Sequence, residues 1–400
     1  GRLDANLRAF QNMLQPQPQR QPPRICGVVK SNAYGLGVAP IARRLRDRGI
    51  DMLAVFCEQE VRELITEHIN IPILVLSPIR QLHRDDVLYR PMVDGQLHLT
   101  VHDLDQIDQT LTMARTYGFV APLHLQLDTA MSRAGLNRAQ FDEAVARIAD
   151  QRLLRLAGVS THFASAETDP ELTADQAEQL DAAVAANRQL IPDDAIIHLA
   201  NTAGALRDPS LHRDMIRVGL GLYGFGIDNL EGPVPVDLPD LQPVVRWLTR
   251  LFHVQRYPAG RSVGYGQTFT LQRPSVLGVV PVGYAAGYPL SLTNRAAAVI
   301  RGRPVPVVGK INMDQIILDL TDLDEAAVGE TVELVSFDRD APCALHRLAA
   351  EANSSCYEML CRLSTRVPRQ YVDSSVNEPT LCPPALRAGV TRAVGRSLVG

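Results

Sequence analysis

Apolar positions in the first half of the chain fall into short runs, and between the runs they recur at helical spacing. Runs rich in Val, Ile and Leu lie at residues 26–30, 52–56, 73–76, 90–93, 123–127, 156–160, 195–199 and 215–218. Runs of this length, flanked by Gly, Pro or polar residues, read as short buried strands. Stretches 103–117, 137–150 and 175–190 carry the period of amphipathic helices. Eight strands alternating with helices predict an α/β fold of the (β/α)8 TIM barrel type.

The texture changes after about Gly226. Residues 231–239 are rich in proline, as linkers between domains are. Beyond them, short alternating runs at 244–253, 276–281, 297–300, 306–308, 315–320 and 331–335 are separated by turns and predict a mainly antiparallel β domain. The expected organisation is a barrel over residues 1–230, a β domain over 240–372 and an extension over 373–400, which carries Pro383-Pro384 and many small residues.

Composition narrows the class. The 400 residues are 46% hydrophobic and 21% charged, enough for two domains with full cores. A net charge of -4 leaves no electrostatic footprint for nucleic acid. No apolar run approaches the roughly eighteen residues a membrane span needs. The six cysteines show no metal-type pairing and read as packed, reduced thiols. These features, with no visible signal peptide, favour a cytoplasmic protein; the chain opens with Gly1 rather than Met, so export stays open.

Chemistry enters at the carboxyl ends of the strands, where barrels of this kind build their sites. Lys30 stands at the end of the first run, followed by Ser31, Asn32, Ala33, Tyr34, Gly35, Leu36 and Gly37. An amine at a strand mouth beside glycines can hold a carbonyl cofactor covalently. The fifth run leads to Arg133, the sixth to His162, the seventh to Asn201 and Thr202, and the eighth to Arg217 and Gly219. Singly, His162 reads as a core histidine, Arg217 as a surface ion pair, Asn201-Thr202 as a helix cap and Lys30 as a snorkelling side chain. Together they place an amine, a flat ring, two guanidiniums and a phosphate-type helix start on one rim, with Thr202 and the amides of Gly219 and Leu220 as phosphate donors. An aldehyde with a phosphate arm and an aromatic ring, pyridoxal 5'-phosphate, suits that set, and no metal is required.

At these residues the chain resembles the alanine racemase family, over roughly residues 2–371. Residues 28–37, around Lys30, match the family's cofactor-lysine signature. Residues 161–164, 200–203, 217–224, 263–266, 282–289, 312–315 and 357–358 match further family patterns. The resemblance implies that Lys30 holds the cofactor and is one of two proton-transfer bases, with Tyr265 the other. It implies that Tyr34, Thr202, Tyr357 and the backbone at Gly219 and Leu220 hold the phosphate, that His162 stacks on the ring, and that Asn201 supports the same site. Arg217 would face the ring nitrogen. A guanidinium stays protonated there and only donates, so the ring becomes a weaker electron sink and the proton returns to Cα. Arg133, Met313 and Tyr284 would contact the substrate. Family architecture places Tyr265, Met313 and Tyr284 in the partner subunit's site, which implies a head-to-tail homodimer with shared active sites.

The chain departs from the family at several positions. Gln126 stands where many relatives carry a lysine, often carbamylated, that orients the carboxylate-binding arginine, so Arg133 would be held less firmly or by another acceptor. Ala130 replaces a usual glycine, while Ala286, Leu290 and Lys310 replace charged or larger residues at the entrance. The expectation is an enzyme, an isomerase that interconverts L- and D-alanine and supplies D-alanine for peptidoglycan. The alternatives are a racemase of broader range acting on serine or basic amino acids, and a non-catalytic pyridoxal-phosphate-binding protein.

Overall fold

A computed structural model describes residues 1–14, 22–226, 230–232, 234 and 237–372. The expected extension 373–400, and part of the proline-rich linker, lie outside the described residues.

Eight strands form the first sheet: β1 (Arg24–Val28), β2 (Met52–Val55), β3 (Ile73–Val75), β4 (Leu97–Val101), β5 (Ala121–Gln126), β6 (Leu154–Ser160), β7 (Ile196–His198) and β8 (Met215–Val218). They pair in parallel in the order β7-β6-β5-β4-β3-β2-β1-β8. The gap between β7 and β8 is bridged by the Asp214 and Arg217 amides, which donate to the Ile197 and Ala200 carbonyls at 3.0 and 2.9 Å. The sheet therefore closes on itself. Helices between the strands bury an apolar stripe against it, as in Leu104–Tyr117, which is capped by Asp103 with the reciprocal Gln106 bond.

One expected strand is corrected. Residues 90–93 belong to a short helix, Tyr89–Val93, and the fourth strand is Leu97–Val101. Pro91 falls in the first turn of that helix, where its missing N–H costs nothing, and Gly95 ends it in the left-handed region at φ +68°. The alternation of Leu97, Leu99 and Val101 then continues the sheet.

The second half is antiparallel. A four-stranded sheet runs in the order β15 (Arg303–Pro306), β14 (Ala297–Ile300), β17 (Thr331–Val335), β9 (Trp247–Arg250). A three-stranded sheet joins β10 (His253–Tyr257), β13 (Ser275–Val280) and β16 (Ile316–Asp319), and β11 (Ser262–Val263) pairs with β12 (Phe269–Thr270). The expected single run 244–253 divides into β9 and β10 because the chain changes sheets there: Leu251 donates to Glu330 and Phe252 to Val279. The run expected at 306–308 begins earlier, since Arg301 and Gly302, at φ +50° and +73°, reverse the chain and start β15 at Arg303. Helix Arg2–Met13, assigned no element above, buries Leu7 and Phe10, and Asn6 donates to the Leu222 and Gln242 carbonyls, tying the start of the second half to the barrel.

Candidate active site

Lys30 opens a tight reversal at the carboxyl end of β1. Ser31, Asn32, Ala33 and Tyr34 all adopt left-handed dihedrals, with φ between 52° and 56°. For non-glycine residues this costs roughly 1–2 kcal/mol each, so surrounding structure must hold the turn. Several contacts do so. The Glu60 carboxylate accepts from the Ser31 and Phe56 amides, and the Asn32 side chain accepts from the Val38 amide at 2.7 Å. Arg369 donates to the Gly35 carbonyl and Tyr371 to that of Leu36, both at 2.7 Å. Gly35 itself, at φ +78°, lies so close to helix Cys356–Cys361 that a Cβ would fall 2.4 Å from the Leu360 carbonyl oxygen.

This turn keeps Lys30 half-buried at the rim and drives Tyr34 inward. The Lys30 amine has no hydrogen bond or ion pair among the described residues. Burial and the Arg133 cation push it below the ordinary lysine range, against a smaller opposing pull from Glu60. The Tyr34 ring packs 5.0 Å from Tyr223 and 5.8 Å from Tyr357, and its hydroxyl occupies the space above Gly219, where a Cβ would lie 2.2 Å away. That hydroxyl has no hydrogen-bond partner among the described residues. Burial raises both Tyr34 and Tyr357, the latter to about 12, so both stay protonated donors.

Asn201 caps helix Thr202–Arg207, accepting from the Gly204 amide at 2.9 Å, so its bland reading as a cap is correct as far as its contacts go. The Thr202 hydroxyl oxygen accepts from the Gly219 and Gly221 amides at 3.2 and 3.3 Å, which leaves its O–H to donate outward and engages an amide expected to be free. Gly219, Leu220 and Thr202 thus form one turn beside Tyr34.

Arg217 is buried, not a surface ion pair. It donates to His198 Nδ1 at 2.8 Å, to the carbonyls of His198, Thr161 and Leu199, and to His162 Nδ1 at 3.3 Å. No carboxylate pairs with it among the described residues. Burial lowers it to about 10, still protonated at neutral pH. Burial and then Arg217 push His162 down to about 3, so its ring is neutral. Arg133 is exposed and has no hydrogen bond or ion pair among the described residues. Gln126 does not hold it: the Gln126 amide donates to the Ala134 carbonyl at 3.0 Å and fixes the loop backbone instead.

Among the described residues, no hydrogen bond joins Lys30 to Tyr265, Met313 or Tyr284. They are 71%, 55% and 44% exposed. Gly264, beside Tyr265, packs against Gly309 and Lys310, and the Tyr284 and Ala285 amides donate to Asn312 and Met313, so the three project from one continuous face of the second domain. Residues the sequence analysis did not single out are Glu60, Tyr223, Arg369 and Tyr371. The signal for Glu60 was its place in the first turn of helix Glu58–Thr66 and that for Tyr223 its place in the matched stretch 217–224; Arg369 and Tyr371 carry no local signature. No cluster of metal-ligating side chains occurs among the described residues.

Residues 1–226 match the family description "Alanine racemase, N-terminal domain" and residues 244–371 match "Alanine racemase, C-terminal domain". The chain is 36% identical to an alanine racemase of Symbiobacterium thermophilum over 92% of its length and 94% of the relative's. It is 32% identical to that of Halothermothrix orenii over 87% and 90%. Among solved structures, the alanine racemase of Streptomyces lavendulae superposes with a TM-score of 0.82 at 26% identity, covering 93% of this chain and 95% of that one. The alanine racemase of Bartonella henselae, solved with covalently bound pyridoxal phosphate, gives 0.77 at 26% identity over 93% and 97%.

Proposed function

The chain belongs to the alanine racemase family, and from that membership we propose that Lys30 of one protomer and Tyr265 of the partner subunit are the two bases of a composite site in a homodimer. The enzyme interconverts L- and D-alanine and uses pyridoxal phosphate. Its D-alanine product is read as destined for peptidoglycan, and its five described cysteines, all free, suit a cytoplasmic setting.

Three observations support the fit of this cofactor. Among the described residues, Lys30 offers an unpaired amine whose charge is disfavoured, Tyr34 offers a hydroxyl without a hydrogen-bond partner, and Arg217 offers a buried guanidinium met only by neutral acceptors. When bound, pyridoxal phosphate supplies an aldehyde that joins to amines and a ring that withdraws electrons from the amino acid's Cα. Lys30 would hold it. Tyr34, Thr202, Tyr357 and the turn at Gly219 and Leu220 would grip the phosphate, with Asn201 holding that helix start in place. His162, neutral at working pH, presents a flat face for the ring, and Arg217, able only to donate, keeps a proton off the ring nitrogen.

Proton movement falls to two groups. The depressed Lys30 amine can take or return the Cα proton on its side, and the exposed phenol of Tyr265 of the partner subunit serves the opposite face. Arg133, paired with no carboxylate among the described residues, would take that of the substrate. Met313 and Tyr284 of the partner would line the mouth. The single observation carrying this reading is the unpaired, charge-disfavoured amine of Lys30 on the same rim as Arg217 and Thr202. Purified enzyme should exchange the Cα proton of alanine with solvent and scramble its configuration, and Lys30→Ala should lose both that activity and the cofactor's visible absorbance. Retained racemisation in Lys30→Ala would refute it.

A further inference from the structure

Arg217 is the inner end of a line of three imidazoles that crosses the barrel interior. His198 on β7 lies 2.8 Å from Arg217, His124 on β5 lies 2.8 Å from His198, and His98 on β4 lies 2.8 Å from His124. Successive rings stand edge to face, with centroids 5.0 Å apart. His124 and His198 belong to strands separated by β6, so the His124 ring must pass over β6 to reach its neighbour. At the crossing stands Gly158, register partner of His124, where a Cβ would lie 2.3 Å from His124 Nδ1. The β5–β6 register shifts between Leu123 and His124, at the same level. A glycine slot and an irregular register thus make room for this ring.

The donor inventory fixes the direction of the line. Arg217 can only donate, so His198 Nδ1 is the acceptor and the His198 proton sits on Nε2. That proton points to His124 Nδ1, which places the His124 proton on Nε2, directed at His98 Nδ1. All three rings hold the same tautomer and present a lone pair toward Arg217. Hydrogen bonds in such a chain polarise one another.

We propose that His98, His124 and His198 form a one-way, uncharged imidazole relay that anchors Arg217, and that His98 is its outer positioning residue. The inference rests on the reading of Arg217 as the group facing the cofactor's ring nitrogen. A carboxylate partner would neutralise the guanidinium and draw it from the ring; polarised imidazoles pin it without a counter-charge. The charged groups facing the outer ring, Arg24 on β1 and Arg155 on β6, are both cations, and burial followed by these cations pushes His98 down to about 4. The ionisable group beside Arg217 on β1, Cys26, is a neutral thiol pushed up to about 12 by burial. No proton is transferred along the line in this role.

The test uses holoenzyme labelled with 15N in its histidine rings, recorded from acid to neutral pH. Three rings should carry their proton on Nε2 and none of the three should titrate near the ordinary histidine value. His98→Leu removes the last acceptor and should displace the His124 and His198 ring signals. It should also alter the pH dependence of the cofactor's absorbance and lower kcat, by as much as about a hundredfold if Arg217 moves by about 1 Å, with KM little changed. His98→Asn places an acceptor oxygen where Nδ1 stood and should restore the signals, the absorbance and kcat. A relay ring protonated on Nδ1, a relay ring titrating near neutrality, or unchanged His198 signals in His98→Leu would overturn the proposal. Should His98→Leu fail to fold, the wild-type ring protonation states decide alone. These signals do not depend on turnover, so a relay found in a protein that does not racemise would count against the reading of the site and not against the relay.

Discussion

Lys30 and Lys310 are the two lysines of this chain, which makes covalent trapping at the residue scale unusually simple to interpret. Borohydride reduction of the holoenzyme, followed by digestion and mass analysis, should leave the pyridoxyl group on the peptide containing Lys30. Label on Lys310 would displace Lys30 from its assigned role. Gly158 gives a second residue-level prediction. Gly158→Ala drives a methyl into His124, and overpacking of this kind costs about 1–3 kcal/mol, read as a lower denaturation midpoint with an unchanged slope. Among the candidate site residues, the rim placement of Lys30, His162 and Thr202 was legible in the sequence because each follows a strand end, and that of Arg217 because it stands near the end of β8. The task of Gln126 was not, since its choice of the Ala134 carbonyl over Arg133 depends on how the loop after β5 folds back.

At the scale of elements, the left-handed turn after Lys30 decides whether the site exists. Four strained residues are held by Glu60, Asn32, Arg369 and Tyr371, so removing one support should loosen the cofactor before it unfolds the barrel. Arg369 donates to the carbonyls of Gly35, Leu363, Ser364 and Val367. Arg369→Ala should cost on the order of 2–3 kcal/mol, as for loss of hydrogen bonds from a charged donor, and raise the dissociation rate of pyridoxal phosphate after Lys30 is released by hydroxylamine. A variant that retains cofactor as tightly as wild type would mean that the barrel alone supports the turn. The strands of the barrel were readable from their buried runs, but the turn was not: no residue from Ser31 to Tyr34 is one that favours φ > 0 except Asn32. The misplaced fourth strand has a similar cause. Met92 and Val93 look like the end of a buried run in isolation, and only Pro91 and Gly95 together mark the segment as a closed helical turn.

At the scale of the whole molecule, Tyr265, Tyr284 and Met313 are exposed, and the composite-site reading makes a mixing experiment decisive. Lys30→Ala and Tyr265→Ala, each inactive, should regain activity when dissociated together and reassembled, because a mixed dimer contains one site with both bases. Random pairing restores about a quarter of wild-type sites; no recovery in verified mixed dimers would place both bases in one subunit. Acid stability is a second global consequence. His98 and His162 are depressed to about 4 and about 3, and His124 and His198 lie well below 6.5, whereas the unfolded chain takes up protons on these rings near 6.5. The unfolded state therefore binds more protons below that value, so this contribution to stability is present at neutral pH and lost as pH falls from about 6.5 toward 4. Thermal scans should show Tm declining across that interval, with a shallower decline in His98→Asn. The proposed pairing of one chain's lysine with another's tyrosine comes only through resemblance, because no local pattern says which copy a side chain serves.

The clamp of Arg369 and Tyr371 on Gly35 and Leu36 joins positions more than 330 residues apart in sequence. During synthesis, a ribosome will have released a complete barrel well before it delivers that clamp. A nascent chain thus holds its reactive turn through Glu60 and Asn32 alone, and gains its last two braces only after the second half has been made.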